Sequence, residues 1–408
     1  EGAPCNMCGV GIAFSLGRGN EILLQAARLL SRAVVGLPLA ACRDNFSAVW
    51  HRVVGASDGQ LLWLGPEKGA IHQAGACLVN ALWDLWAKLE GKPLWRLVSC
   101  LPTHTIAAAL ILEDVSDELS VEAAVAMLEA TDAGRAVRAE HIARHGIAAY
   151  TTATGWAGYP DAKVRELVKK ATAEGFTAFK MKVGLGAQSD MRRASLLRSE
   201  IGESGRLMMD ANSVWGVDEA IACMKELTVY KPLFIEEPIH PDDILGHARI
   251  ATALEPDGIY VAGGEQTVNR VVMKQFLSSG GYTICQQDAV KCGGLNEWLV
   301  VALMAAKRGV PLCCHAGGVG LCNMAAHLGA IDAVLISAHD DEGVRMTEYI
   351  DHLSEHFYHP PRIAQGRYCA PEALGWGLDM RSESLHKFEW PHGSYWMNMP
   401  SHFEKAGM

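Results

Sequence analysis

No stretch of the sequence approaches the ~18 uninterrupted apolar residues that a bilayer-spanning helix requires, which removes a transmembrane reading. Basic clusters are also missing. The 36 Lys and Arg are outnumbered by 46 Asp and Glu, for a net charge of -10, and no run of them could neutralise a row of phosphates, so nucleic acid is excluded as a principal partner. Cysteine is too sparse for a disulfide scaffold. The 12 cysteines are scattered and often flanked by apolar residues, as at Cys77, Cys223, Cys285, Cys313 and Cys314, and read as reduced thiols of an intracellular, cytoplasmic protein, with a mitochondrial location left open. The one close pair, Cys5 and Cys8, has CxxC spacing but no second pair and no strand-helix context, so neither a metal nor a redox role is assigned to it. No GxGxxG and no Walker lysine is present, and the GGVG run at 317–320 is by itself a weak phosphate signal. The chain opens at Glu1 with no basic segment or apolar leader, and its native start is expected to be missing.

Half of the 408 residues are hydrophobic, 20% are charged and the mean hydropathy is +0.08, the profile of a globular chain. At ~150 residues per domain this length gives two or three domains. Up to about residue 150 the pattern is mixed, with a strand-like segment at 9–15 followed by helical stretches. The clearest helix is predicted over 70–89, where Leu78, Leu82, Leu85 and Trp86 share a face and Gly91 and Pro93 stop it.

From about residue 148 the texture changes to short β-rich runs, each separated by enough chain for a helix and two loops. The runs are AYTTAT (149–154), TAFKMKV (177–183), RLMMDAN (206–212), PLFIEEP (232–238), YVAGGEQ (260–266), TICQQD (283–288), PLCCHAG (311–317) and AVLISAH (333–339). Eight runs in βα alternation predict a (β/α)8-type barrel. From the second run onward each ends on, or leads shortly into, a reactive side chain: Lys182, Asp210, Glu236, Glu265, Asp288, His315 and Glu348, separated by 23 to 33 residues. That interval is one βα unit, so a barrel gathers these groups at its carboxyl rim, where active sites of this fold are built.

Asp210, Glu236 and Glu265 come from three consecutive strand ends. Converging without a counterion they would repel one another and raise their pKa values, so a hard divalent cation, Mg²⁺, is expected among them. Lys180 and Lys182 are two residues apart on a strand and point to one side, toward the mouth. Their proximity is expected to lower the pKa of one and supply a lysine base. Asp288 beside His315 would fix the imidazole tautomer and suit it to general acid or base work. A metal, a lysine and an Asp-His pair together describe removal of a proton next to a carboxylate.

KMK at 180–182, DAN at 210–212, IEEP at 235–238, GGEQ at 263–266 and HAGG at 315–318 occur in the order found in the enolase superfamily, mandelate racemase subgroup, which the chain resembles over nearly its whole length. More narrowly it resembles the L-fuconate dehydratases and their animal homologues, through WLGPEKG (63–69), YTT with GW and GY (150–159), PDDILGHA (241–248), HAGGVGLC (315–322), EYIDHL (348–353) and GRY with AP (366–371). The resemblance implies a modified (β/α)7β barrel at 146–354 and an α+β capping domain at 1–145 completed by 355–408, with the first strand and its sugar lid, expected ahead of Gly9, largely absent. It implies Mg²⁺ on Asp210, Glu236 and Glu265, Lys182 as the base at C2, Lys180 on the substrate carboxylate, His315 oriented by Asp288 as acid at the 3-hydroxyl, and Glu348 on the enediolate. Asn212 and Trp63 are further expected substrate contacts. Ser213, Val214 and Asn323 depart from those dehydratases, so the parts that choose the sugar are expected to differ. The implied activity is that of a hydro-lyase converting L-fuconate to its 2-keto-3-deoxy product. Alternatives are an acid-sugar racemase or epimerase, with Lys182 and His315 exchanging a proton across C2, and a non-catalytic homologue, which loss of a metal ligand would favour. The expected partner is a small acid-sugar substrate, with no nucleic acid and no membrane, and the chain is expected to form a homo-oligomer.

Overall fold

The computed structural model describes residues 7–54, 61–65, 67–339 and 343–398; Cys5 of the CxxC pair lies outside them, and every cysteine within them is free. Among the described residues no helix is long and apolar enough to cross a membrane.

The N-terminal part is helical up to Arg135–His145, and its central element is the helix Gly69–Leu89. This helix forms where the periodicity predicts it, but it is buried nearly all round. Val79, Leu82, Trp83 and Trp86 are buried, and so are the polar residues His72, Asn80, Asp84 and Lys88. Asp84 and Lys88 are partnered from several sides. Asp84 accepts from the amides of Val10 (2.8 Å) and Trp376 (2.6 Å) and pairs with Lys88 at 2.8 Å, while Lys88 also reaches Asp379 at 3.0 Å. The segment at 9–15 is therefore not the strand its sequence suggests: it is irregular and lies on this helix, and a Cβ on Gly11 would stand 1.9 Å from the carbonyl of Cys77.

The barrel runs through β1 (Ile147–Gly155), β2 (Ala178–Lys182), β3 (Arg206–Asp210), β4 (Pro232–Glu236), β5 (Tyr260–Gly263) and β6 (Ile284–Cys285), all parallel and paired in that order. The seventh position is an extended segment in which Leu312 bridges Cys285 and the Cys313 amide donates to the Cys285 carbonyl at 2.8 Å. The eighth is β7 (Thr347–Tyr349), parallel to β1 and tied to the seventh by the Glu348 amide on the Cys314 carbonyl at 3.1 Å. Helices Asp161–Ala173, Ala187–Ile201, Val217–Leu227, Ile244–Leu254, Arg270–Ser279, Leu295–Lys307 and Leu321–Ile331 fill the intervals, giving the (β/α)7β pattern.

One expected strand is elsewhere. The run at 333–339 is not a strand: Asp332–Ile336 is a π-helical turn continuing Leu321–Ile331, fully buried against neighbouring helices. A short apolar run carries no period that separates a buried strand from a buried helical turn, and Thr347–Tyr349 takes the closing position instead.

Alternation along each strand sorts its side chains. Ala148, Tyr150, Ala178, Met208, Phe234, Ala262, Ile284, Cys313 and Met346 form one internal apolar cluster, whereas Phe179, Met181, Leu207, Met209, Ile235, Val261 and Cys285 pack outward against the helices.

The N-terminal helices are fastened to the barrel by a buried ion network. Arg270 pairs with Glu297 at 2.9 Å and with Glu67 at 3.1 Å, and His72 meets Glu297 at 2.8 Å. Burial alone would raise the Glu297 carboxyl, but His72 and Arg270 outweigh it and hold it down at about 2. A carboxyl depressed from 4.5 to about 2 contributes stability that is complete above pH 4.5 and lost as the pH falls toward 2. Arg270→Ala should therefore lower the unfolding free energy by about 3 kcal/mol, since it leaves a buried carboxylate short of its partner. In denaturant titrations followed by circular dichroism, Glu297→Gln should flatten the loss of stability between pH 4.5 and 2; an unchanged slope would show that this carboxyl is not what acid attacks.

Candidate active site

Two residues beyond the apolar plug, the same inward parity brings the reactive groups up in a ring. Met208 is followed by Asp210, Phe234 by Glu236, Ile284 by Gln286, Cys313 by His315 and Met346 by Glu348, while Ala178 is followed by Lys180 and Lys182. Strand register sets their level, with Lys182 opposite Asp210 and Asp210 opposite Glu236. Glu265 lies two residues past β5, after Gly264, whose φ of +143° and close approach to strand six leave no room for a side chain: a Cβ there would stand 2.7 Å from the Gln287 amide nitrogen.

At the centre is Lys180, its side chain 2% exposed and bonded to Glu236 at 2.6 Å and Glu348 at 2.7 Å, with Asp210 at 3.5 Å. Lys182, higher on the same strand and partly exposed, holds Asp210 at 2.5 Å. Burial raises Glu236 to about 8, helped by the charges of Asp210, Glu348 and Glu265 and opposed by Lys180. Burial also lifts Asp210, but Lys180 and Lys182 outweigh it and hold that carboxyl below the usual range. The expected downward shift of a lysine is not found. Burial and Lys180 both oppose the charge on Lys182, yet Asp210 and Glu236 exceed them and its pKa is raised.

On the sixth and seventh positions Asp288 Oδ2 meets His315 Nδ1 at 2.7 Å, and His315 Nε2 faces Glu265 at 3.3 Å. Burial disfavours the imidazolium, but Glu265 and the bond to Asp288 prevail and push the ring up to about 10. Asp288 is itself held through Oδ1 by the amides of Val290 (3.0 Å) and Lys291 (2.8 Å).

The expected metal ligands Asp210, Glu236 and Glu265 thus stand at three successive strand ends beside one another's charge, and their oxygens are the donors a hard divalent cation takes. Among the described residues no three His, Cys, Asp or Glu side chains form a ready-made metal cage; the Lys180 ammonium sits between the carboxylates instead. Burial is the first cause of the raised Glu236 carboxyl, and the acids Asp210, Glu348 and Glu265 add to it against Lys180, so a further cation among these oxygens would favour its charged form.

Two expected substrate contacts are placed less centrally. Asn212 adopts φ +45° just past β3, donates its amide to Asp210 Oδ1 at 2.9 Å and is exposed. Trp63 lies in the short helical turn Leu61–Leu64, is 93% exposed, and among the described residues no hydrogen bond or ring contact joins it to the ring of charges. Asn323 does not face that ring through its amide: Nδ2 donates to the carbonyls of His359 (2.7 Å) and Gly377 (3.1 Å), fastening the C-terminal segment.

Three residues join the site without having been read from the sequence. Gln286 donates to Glu236 at 2.7 Å, the Tyr150 ring lies 5.5 Å from the Lys180 ammonium, and Glu237 is buried with Oε1 unpartnered and its carboxyl raised to about 9 by burial and then by Glu265, Asp210 and Glu236. The two-residue stride from Ile284 and Ala148 would have found the first two; Glu237, at φ +40° beyond its strand, follows no such stride.

With its pKa near 10, His315 should keep its proton through neutral pH and lose it only as the pH rises through about 10. Asp288→Asn removes a charged acceptor and should move that loss to lower pH, read by NMR of labelled histidine. Coincident titrations in the two proteins would mean Asp288 does not set the charge on the ring.

Residues 163–384 match the family described as enolase C-terminal domain-like. The chain is 44% identical to mitochondrial enolase superfamily member 1 of Bos taurus over 96% of this chain and 88% of that one, and 43% identical to L-galactonate dehydratase of Hypocrea jecorina over 94% and 84%. The crystal structure of human mitochondrial enolase superfamily member 1 superposes with a TM-score of 0.92 at 42% identity, covering 95% of this chain and 87% of that one. L-talarate dehydratase from Polaromonas sp. JS666, complexed with Mg and L-glucarate, shares the fold at a TM-score of 0.70 and 21% identity over 92% and 83%. With its lysine strand, its carboxylates on three adjacent strand ends and its Asp-His pair on a (β/α)7β barrel, the chain belongs to the enolase superfamily, mandelate racemase subgroup.

Proposed function

We propose that the chain is a Mg²⁺-dependent hydro-lyase that dehydrates a six-carbon acid sugar of L-galacto configuration, L-fuconate or L-galactonate, to the 2-keto-3-deoxy acid. The observation that carries this reading is the order of groups around the ring: Lys182 on the second strand, carboxylates on the third to fifth, the Asp288–His315 pair on the sixth and seventh and Glu348 on the eighth. The name of the Hypocrea relative supports an L-galactonate-type substrate. L-Fuconate is the 6-deoxy form of L-galactonate, so the two share every stereocentre at which the chemistry occurs.

Asp210, Glu236 and Glu265 would hold Mg²⁺, which when bound would supply Lewis acidity toward the substrate carboxylate and a positive charge that favours the neutral, basic form of Lys182. Lys182 then takes the proton from C2. Lys180, kept charged and in place by Glu236 and Glu348, offsets the negative charge that grows on the substrate carboxylate. His315 has Nδ1 committed to Asp288, so its Nε2 proton is the one delivered to the 3-hydroxyl, which leaves as water. The resulting enol takes a solvent proton at C3 and becomes the 2-keto acid.

Calorimetric titration with Mg²⁺ should show one site in the wild type and at least about 10-fold weaker binding in Glu236→Gln; equal binding by the two proteins would remove this cluster as the metal site.

The C2 proton separates elimination from epimerisation. In D2O the wild type should convert L-fuconate or L-galactonate to a keto acid carrying deuterium at C3. Lys182→Ala should abolish both elimination and C2 exchange, whereas His315→Asn should stop elimination and retain slow exchange. Proton NMR showing two C2 epimers and no keto acid would replace this assignment with an epimerase.

A further inference from the structure

Asp288 orients His315, and the segment that orients Asp288 is fixed from outside the barrel. Its Oδ1 is held by the amides of Val290 and Lys291, at 3.0 and 2.8 Å, which leaves Oδ2 for the imidazole at 2.7 Å. Those two amides belong to a buried loop, 289–294, that ends at the helix Leu295–Lys307. Both ends of the loop are gripped by a single side chain of the N-terminal helix Gly69–Leu89. Asn80, fully buried, donates Nδ2 to the Ala289 carbonyl at 2.7 Å and accepts the Leu295 amide on Oδ1 at 3.0 Å. The loop is further held by Trp50, whose Nε1 donates to the Gly293 carbonyl at 2.6 Å, and by Glu297, which accepts the Gly293 amide at 2.6 Å.

An amide side chain offers a neutral donor and a neutral acceptor on two separate atoms, as the first carbonyl and the closing amide of this loop require. Without it both backbone groups would be buried and unpaired, and the loop would shift to satisfy them. Such a shift moves the two amides on Asp288, and through Oδ2 the hydrogen bond to His315. Among the described residues, the hydrogen bonds of Asn80 outside its own helix go to Ala289, Leu295 and Trp376, none of which lies on the strand that carries Lys180 and Lys182.

We propose that Asn80 is a positioning residue for the proton donor: through the 289–294 loop it fixes Asp288, and through Asp288 the imidazole of His315. The kinetic part of this inference rests on the dehydratase reading, whereas the geometric part does not.

Asn80→Ala should lower kcat for keto-acid formation by about 10-fold or more, with KM and the rate of Lys182-dependent C2 exchange within about 2-fold of wild type. Trp83→Phe, which removes a 2.8 Å bond from the same helix to Asn296 and leaves the loop's own bonds intact, should not change the ratio of elimination to exchange. Where Asn80→Ala does not fold, Asn80→Asp keeps the volume and the acceptor for Leu295, loses the donor to Ala289, and serves in the same comparison. The proton resonance of His315 Nδ1–H, read on substrate-free protein, should shift or broaden in the Asn80 variant. Wild-type kcat in that variant, a parallel loss of elimination and exchange, or an unmoved resonance would each overturn the proposal. If the wild type dehydrates no acid sugar, the functional reading fails, and the resonance still decides the role of Asn80.

Discussion

The whole site hangs on the two-residue stride of parallel strands closed into a ring. In each strand one inward residue fills the barrel and the next inward residue stands above it, so an apolar plug of Met208, Phe234, Ile284 and Met346 becomes the floor on which Asp210, Glu236, Gln286 and Glu348 rest. The plug excludes water from below, and this gives the charges above it their strength. Lys180 is as buried as a leucine in a core and can remain charged only because acids surround it.

That mutual dependence of charges also divides the labour. Glu236 is lifted by burial and by its acidic neighbours while Asp210, between two ammonium groups, is held down. Lys182 sits at the edge of the same balance, partly exposed and tied to a single carboxylate, so its charge answers to whatever else that carboxylate binds. His315 is governed from the opposite side by Asp288 and Glu265. Lys182 and His315 are therefore tuned by different carboxylates on different strands, Asp210 and Glu236 for the lysine and Glu265 and Asp288 for the imidazole.

Much of this was legible in the sequence because strand ends at a fixed interval leave a plain signature: Asp210, Glu236, His315 and Glu348 all stand where a βα count puts them. The counting failed where physics gives no period. Of the run at 333–339, the part at 333–336 is apolar throughout and buried in a helical turn, and a strand of the same composition would look alike. Gly11 packs on a helix instead of extending in a sheet, a choice made by the carbonyl of Cys77 far along the chain. The polar residues His72, Asn80 and Asp84 carried no signal in the sequence because their partners, Glu297, Ala289 and Trp376, are supplied by segments hundreds of residues away.

The two outer segments of the described chain meet on one helix, and this has a kinetic side. Asp84 takes the Val10 amide 74 residues before it and the Trp376 amide 292 residues after it, and Lys88 reaches Asp379 over 291 residues. Closing loops of that length is entropically slow, and contacts that depend on it form late. During synthesis the barrel strands emerge and can pair before residue 376 exists, so the helix that carries Asn80 must wait beside a nearly finished barrel with its central carboxylate short of a partner. The arrival of the segment that carries Trp376 and Asp379 is then the event that completes the seating of this helix.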